Sequence, residues 1–213
     1  MPLSCRLAAV FATVLALGAS ASALAAGDAA RGKVLSYTCL GCHGIADYHN
    51  AYPNYPVPRL GGQHADYIVA ALKEYRSQQR SHATMQVQAA TLSDQDMEDI
   101  AAFFSSEATV KTGLTITGTP PAKVAQLCVA CHGKDGVGVS DAYPTLTGQQ
   151  ADYLEQALRE YALGERKNPV MGTFVKSLTP QDITEVAEYY AAQGPGLKTL
   201  ERRLSFLNAR IIP

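Results

Sequence analysis

Apolar residues recur with helical spacing twice along this chain. Ile68, Ala71, Leu72 and Tyr75 fall at i, i+3, i+4 and i+7, and Leu154, Ala157, Leu158 and Tyr161 repeat the pattern 86 residues later. A second stripe, Met97, Ile100, Ala101 and Phe104, is answered by Ile183, Val186, Ala187 and Tyr190. Ser93 and Thr179 stand where N-caps belong, and Pro180 follows at the first helical position. Further helices are expected from about Asp28 and from about Pro121. No alternation of period two runs far enough to predict a strand. The expected class is all-α.

The same offset holds outside the helices. Pro58-Arg59-Leu60 answers to Pro144-Thr145-Leu146, Gly62-Gln63 to Gly148-Gln149, Glu74-Tyr75 to Glu160-Tyr161, and Arg80 to Arg166. The chain is therefore read as a tandem duplication. Residues 26–107 form one unit, 108–120 a linker containing Gly113 and Gly118, 121–194 the second unit, and 195–213 an extension. Leu200, Leu204, Leu207 and Ile211 repeat at 4, 3 and 4 in that extension, with Lys198, Arg202, Arg203 and Arg210 among them. A short amphipathic helix is expected there. It would pack on its own domain, or else bind a partner or an anionic membrane surface.

Residues 1–25 read as a secretory signal: Arg6 precedes the apolar run Leu7 to Leu17, and Ala23-Leu24-Ala25 supplies a small-residue cleavage pattern. Over 213 residues, 18 basic side chains face 19 acidic ones, and 47% of residues are hydrophobic. Disorder is excluded by that composition, and the lack of a basic excess argues against nucleic acid. Charge is unevenly divided, however. Residues 26–110 carry 6 basic and 9 acidic side chains, and residues 111–213 carry 11 and 10.

Cysteine placement changes the picture most. Cys5 lies in the signal, and the other four form Cys39-Leu40-Gly41-Cys42-His43 and Cys128-Val129-Ala130-Cys131-His132. Each is C-x-x-C-H, the attachment signal for a c-type haem. Thiols three residues apart on a helical turn face one side and can add across two vinyl groups, while the adjacent histidine meets the iron. A zinc half-site or a thioredoxin-like redox pair would not account for a histidine after both cysteine pairs. Each unit, at about 80 residues, is small for a self-sufficient core, and a covalently held haem would supply apolar interior.

The second axial ligand follows by elimination. Beyond His132 there is no other histidine and one methionine, Met171, whose 86-offset counterpart is Met85. Both are expected in loops between helices. Met97 has Ile183 as counterpart and is read as core packing. His82, three residues before Met85, competes for the first iron, but its counterpart is Asn168. His49 and His64 are read as surface or hydrogen-bonding residues. Histidine–methionine ligation fills both axial positions and raises the reduction potential, which leaves one-electron exchange as the expected chemistry.

With these motifs the chain resembles the dihaem cytochrome c4 family, two class I cytochrome c domains in tandem. The resemblance rests on both C-x-x-C-H motifs, both Pro-x-Leu-x-Gly-Gln stretches, both late methionines, and Leu92-Ser93-Asp94-Gln95-Asp96 with Leu178-Thr179-Pro180-Gln181-Asp182. It implies two covalent haem c groups held by Cys39, Cys42, Cys128 and Cys131, with His43, Met85, His132 and Met171 as axial ligands. It also implies that a backbone carbonyl near Pro58 and Pro144 orients each imidazole. Arg80 and Arg166 would either pair with haem propionates or stand as solvated helix-end charges.

The first copy carries three extra residues before Pro58, in a loop holding Tyr48, His49, Tyr52 and Tyr55. That loop would either cover the haem or dock a partner. The function implied is a periplasmic electron carrier between a quinol-oxidising complex or other small redox donor and a terminal oxidase. The alternative is the dihaem subunit of a larger oxidoreductase such as a sulfide-oxidising flavocytochrome. A free-standing dihaem peroxidase would need an open coordination site, and a bare metal-binding module ranks last.

Overall fold

The computed structural model describes residues 27–51, 54–108 and 110–201. The expected signal, Tyr52 and most of the C-terminal extension lie outside the described residues. Helix α1 (Ala29–Leu35) is capped by Asp28, whose carboxylate accepts the amides of Ala30 and Arg31 at 2.8 and 3.2 Å. A short helix α2 (Leu40–His43) carries the first cysteine motif. Helices α3 (Ala65–Arg76), α4 (Ala83–Ala90) and α5 (Asp94–Ser106) complete the first unit.

Helices α1 and α5 meet at backbone distance. A Cβ on Gly32 would sit 1.8 Å from the Asp99 carbonyl oxygen, so only glycine permits the approach. Arg31 closes the contact, its guanidinium bound to both Asp96 and Asp99. Around this crossing Ile68, Leu72, Met97, Ile100, Phe103 and Phe104 form a core. Burying each such side chain stabilises the fold by about 1.5–3 kcal/mol. Met97 is fully buried there, as its helical spacing predicts.

In the second unit a π-helical turn, Val124–Cys128, runs into α6 (Val129–His132). Helices α7 (Ala151–Leu163), α8 (Pro169–Val175) and α9 (Pro180–Ala192) follow, around a core of Val124, Tyr153, Leu154, Val186, Ala187, Tyr189 and Tyr190. Ser93 with Asp96, and Thr179 with Asp182, each form a reciprocal capping box, which explains the matching helix starts.

The structure departs from the sequence expectation in three places. The extra loop of the first copy folds as an antiparallel hairpin, β1 (His49–Ala51) with β2 (Asn54–Pro56), pairing Asn50 with Tyr55. Its strands are too short to print an alternating pattern in the sequence. Met85 and Met171 lie in the first turns of α4 and α8 rather than in loops. The start of the C-terminal extension crosses from its own unit to the other. Leu197 still donates to the Thr147 carbonyl of the second unit at 2.9 Å, whereas Lys198 pairs with Gly61 of the first through both backbone bonds at 3.0 Å, and Leu200 packs on the first core.

The repeats join reciprocally. Gln63 clasps the backbone of Thr145, donating to its carbonyl at 2.9 Å and accepting its amide at 2.8 Å. Gln149, its counterpart, clasps the backbone of Arg59 in the same way, at 3.0 and 2.9 Å. Beyond α3 and α7, Ser81 donates to the Glu165 carbonyl and Lys167 to that of Gln79, at 3.0 and 2.8 Å.

Candidate haem sites

Each repeat holds one cavity, about 1500 Å³ in the first and 1410 Å³ in the second, mouths included. The first gathers Cys39, Cys42, His43 and Met85, and the second gathers Cys128, Cys131, His132 and Met171. Every sequence-predicted site residue therefore reaches a cavity wall. Because the cysteine pairs line different cavities, the four thiols do not converge on one ion.

The histidines are held alike. Nδ1–H of His43 donates to the Pro58 carbonyl at 2.9 Å, and Nδ1–H of His132 donates to the Pro144 carbonyl at 3.0 Å. A carbonyl only accepts, so the proton sits on Nδ1 and the Nε2 lone pair is left for a metal. Burial lowers both imidazole pKa values and the carbonyl bond opposes it, which keeps the rings neutral at pH 7.

Burial acts oppositely on the thiols. It pushes Cys39 up, and Cys128 to about 11. A reactive dithiol has a depressed pKa at its attacking thiol, which is the opposite of the direction at Cys39 and Cys128.

The methionines are placed by caps. Asn168 accepts the amides of Val170 and Met171, each at 3.1 Å. His82 does the equivalent work at α4, its Nδ1 accepting the Met85 amide at 3.2 Å. His82 thus repeats the cap of Asn168, and its ring meets Tyr55 edge-on at 4.4 Å.

Arg80 and Arg166 are not solvated. They are 4% and 3% exposed, bind Glu74 and Glu160 through Nε at 2.5 and 2.6 Å, and reach the hydroxyls of Tyr67 and Tyr153. Their guanidinium groups also lie over the rings of Tyr67 and Tyr75, and of Tyr153 and Tyr161. Tyr67, Arg80, Pro144, Leu146, Tyr153 and Leu154 line both cavities, which makes them a shared wall.

The extra hairpin belongs to this joint. Tyr55 lines the first cavity and donates its hydroxyl to Glu160 of the second unit, and His49 meets Asp152 at 2.7 Å. His64 lies 3.1 Å from Asp141 across the same boundary. Sequence reasoning missed these cross-unit roles. The one available signal was that Glu74, Arg80 and Gln63 recur at the constant offset without belonging to a core stripe.

A largely apolar cavity with two thiols, an imidazole presenting a free Nε2 and a thioether has the donor chemistry a covalently attached haem requires. Comparison with known proteins points the same way. The cytochrome c family model matches twice, over residues 29–107 and 122–191. Cytochrome c4 of Pseudomonas aeruginosa is 32% identical over 197 residues, an alignment covering 83% of this chain and 94% of that protein. The chain belongs to the dihaem cytochrome c4 family.

The crystal structure of reduced recombinant cytochrome c4 from Pseudomonas stutzeri superposes with a TM-score of 0.63. It is 29% identical, and the match covers 79% of this chain and all of that one. A thiosulfate dehydrogenase electron acceptor of Stutzerimonas stutzeri is 36% identical, over 73% of this chain and 79% of that protein. As a cytochrome c4 relative the chain is an all-α tandem of cytochrome c domains that carries two covalently bound haem c groups. It transfers electrons rather than catalysing a reaction of its own.

Proposed function

We propose that Cys39 and Cys42, and Cys128 and Cys131, form the thioethers, and that His43 with Met85 and His132 with Met171 ligate the two irons. Haem bound in this way supplies one-electron exchange at a raised potential, because the soft thioether favours the ferrous state. In this reading Pro58 and Pro144 aim the imidazoles through their carbonyls, and His82 and Asn168 hold the methionine-bearing turns. The observation that carries it is the agreement between the repeats: thiol pair, carbonyl-anchored imidazole and capped methionine turn recur around both cavities. Arg80 and Arg166, in the cavity walls, would meet haem propionates with whatever donor capacity their glutamates leave.

The domains proposed are residues 26–107 and 121–194, joined by 108–120. Residues 1–25 would direct export to the periplasm. There the protein would pass electrons from a quinol-oxidising complex or other small donor to a terminal oxidase. Among the described residues no helix is long and apolar enough to cross a membrane.

A spectroscopic redox titration of the holoprotein tests the ligand assignment. Met171→Ala should remove the near-infrared sulfur-to-iron band of one haem only and lower that haem's potential, and an unchanged spectrum would exclude Met171. A second reading, an electron-accepting partner within a larger oxidoreductase, gains support from the likeness to the thiosulfate dehydrogenase electron acceptor. Purification with a stoichiometric second subunit would favour it over the shuttle.

A further inference from the structure

We propose that residues 197–200, the start of the C-terminal extension, complete the first haem site from the second unit by holding the turn whose Pro58 carbonyl orients His43. Lys198 and Leu200 are then positioning residues for the first haem. The proposal rests on the ligand reading given above for His43, and adds that this ligand is steadied by the opposite unit.

The second unit shows what the first one lacks. Beyond its cysteine motif, the chain from Gly133 to Val139 folds back over the turn that carries Pro144. The Gly136 carbonyl accepts the amides of Leu146 and Thr147 at 2.6 and 3.1 Å, and Val139 donates to the Cys131 carbonyl at 3.0 Å. Val137 is buried there, and its carbonyl oxygen would lie 2.6 Å from a Cβ on Gly133, the residue directly after His132. A loop of the same unit therefore packs on both the end of the histidine helix and the turn that orients the histidine.

In the first unit that loop goes elsewhere. Its counterpart is the hairpin, which reaches across to Asp152 and Glu160. The C-terminal extension takes the places it leaves. Gly61, the counterpart of Thr147, donates its amide to the Lys198 carbonyl and accepts the Lys198 amide, both at 3.0 Å. Leu200 covers Gly61, its Cδ2 2.6 Å from where a Cβ would stand. The Leu200 carbonyl oxygen lies 3.0 Å from the Cβ position of Gly44, the residue directly after His43. The Lys198 carbonyl thus does for Gly61 what the Gly136 carbonyl does for Thr147. The Leu200 carbonyl meets Gly44 as that of Val137 meets Gly133.

The contact is made by backbone and one apolar side chain. Lys198 is exposed, so its ammonium takes no part. Up to this point the two units agree: the Ala108 carbonyl lies against Gly62 after α5, and Gly196 lies against Gly148 after α9. The segment after α9 then runs on to the turn of the first unit. A hydrogen bond to the far nitrogen of a ligating imidazole sets both its orientation and its basicity. Loosening these residues therefore acts on His43 through Pro58 and leaves His132 alone.

The test uses two full-length variants of the dihaem holoprotein. Lys198→Pro removes the N–H that Gly61 accepts. Gly61→Thr installs the counterpart residue, whose Cβ displaces Leu200. In both, amide hydrogen exchange should quicken about tenfold over residues 58–63, the equivalent of about one hydrogen bond, and stay unchanged over 144–149. A redox titration should show the midpoint of the first haem raised, because an imidazole tied less firmly to its carbonyl is a poorer donor to ferric iron. The second midpoint should not move. Met171→Ala, by displacing the midpoint of the second haem, tells the two apart. Unchanged exchange over 58–63 would overturn the proposal, as would faster exchange with neither midpoint moved or with both moved equally. A parent protein lacking two haems, or a Met171→Ala variant with both midpoints in place, would instead sink the ligand reading.

Discussion

Two arginine–glutamate pairs show how far single residues here depend on their partners. Arg166 and Glu160 are both buried, and Glu160 also accepts from Tyr55 and from Gln156. Burial raises the Glu160 pKa, and the Arg166 guanidinium opposes that rise. Arg166→Met should therefore destabilise the protein by about 3–5 kcal/mol, since a buried carboxylate is left uncompensated. Adding Glu160→Leu should recover most of that loss. Urea unfolding of both variants measures it, and a double variant no better than the single would refute the coupling. At this scale the cysteines and the histidines beside them stand out by a local spacing, and the methionines only by elimination and the repeat offset. The role of the arginines was not legible: a charged residue after a helix reads as solvated unless its buried partners are known.

Among the elements, the α1–α5 crossing depends on the absence of a side chain. Gly32→Ala would force Cβ onto the Asp99 carbonyl, where no flexible group can yield. A loss of at least about 1–3 kcal/mol is expected, the usual penalty of overpacking. Thermal unfolding followed by circular dichroism would record it.

The same crossing is pH-sensitive. Capping bonds from Ser93, then Arg31, hold the Asp96 pKa at about 2, and Asp99, despite the opposing effect of burial, is lowered by Gln95 and Arg31. A carboxylate whose folded pKa is depressed stabilises the fold above its ordinary pKa and loses that contribution as pH falls through the folded value. The advantage of the parent protein over Arg31→Gln should thus be full at pH 5, be mostly lost by pH 2 and vanish only below it. Urea titrations at stepped pH would show it, and a difference as large at pH 2 as at pH 5 would remove Arg31 from the account. The long amphipathic helices could be read from their stripes. The methionine-bearing helices could not, because each is under three turns and is started by a polar cap rather than by an apolar face.

For the whole molecule the decisive contacts join residues 82 and 90 positions apart, and the sequence marks them only by recurrence at the constant offset outside the core stripes. Gln63 and Gln149 read simply as matched residues in a shared motif, yet each satisfies a backbone donor and acceptor of the opposite unit. Gln63→Leu with Gln149→Leu removes the four hydrogen bonds these side chains make between the units, worth about 1 kcal/mol each, and strands their backbone partners. The two units should then melt in separate calorimetric transitions where the parent melts in one. A single cooperative transition in that variant would show that the glutamines do not couple the units.

The reciprocity of those clasps has a further consequence. Each unit presents both the grasping side chain and the backbone that is grasped, which is the self-complementary geometry of an isologous dimer. A lone ancestral copy with this one surface already possesses everything needed to pair with its twin. Gene fusion then adds no new recognition; it fixes the stoichiometry and frees the two halves to diverge.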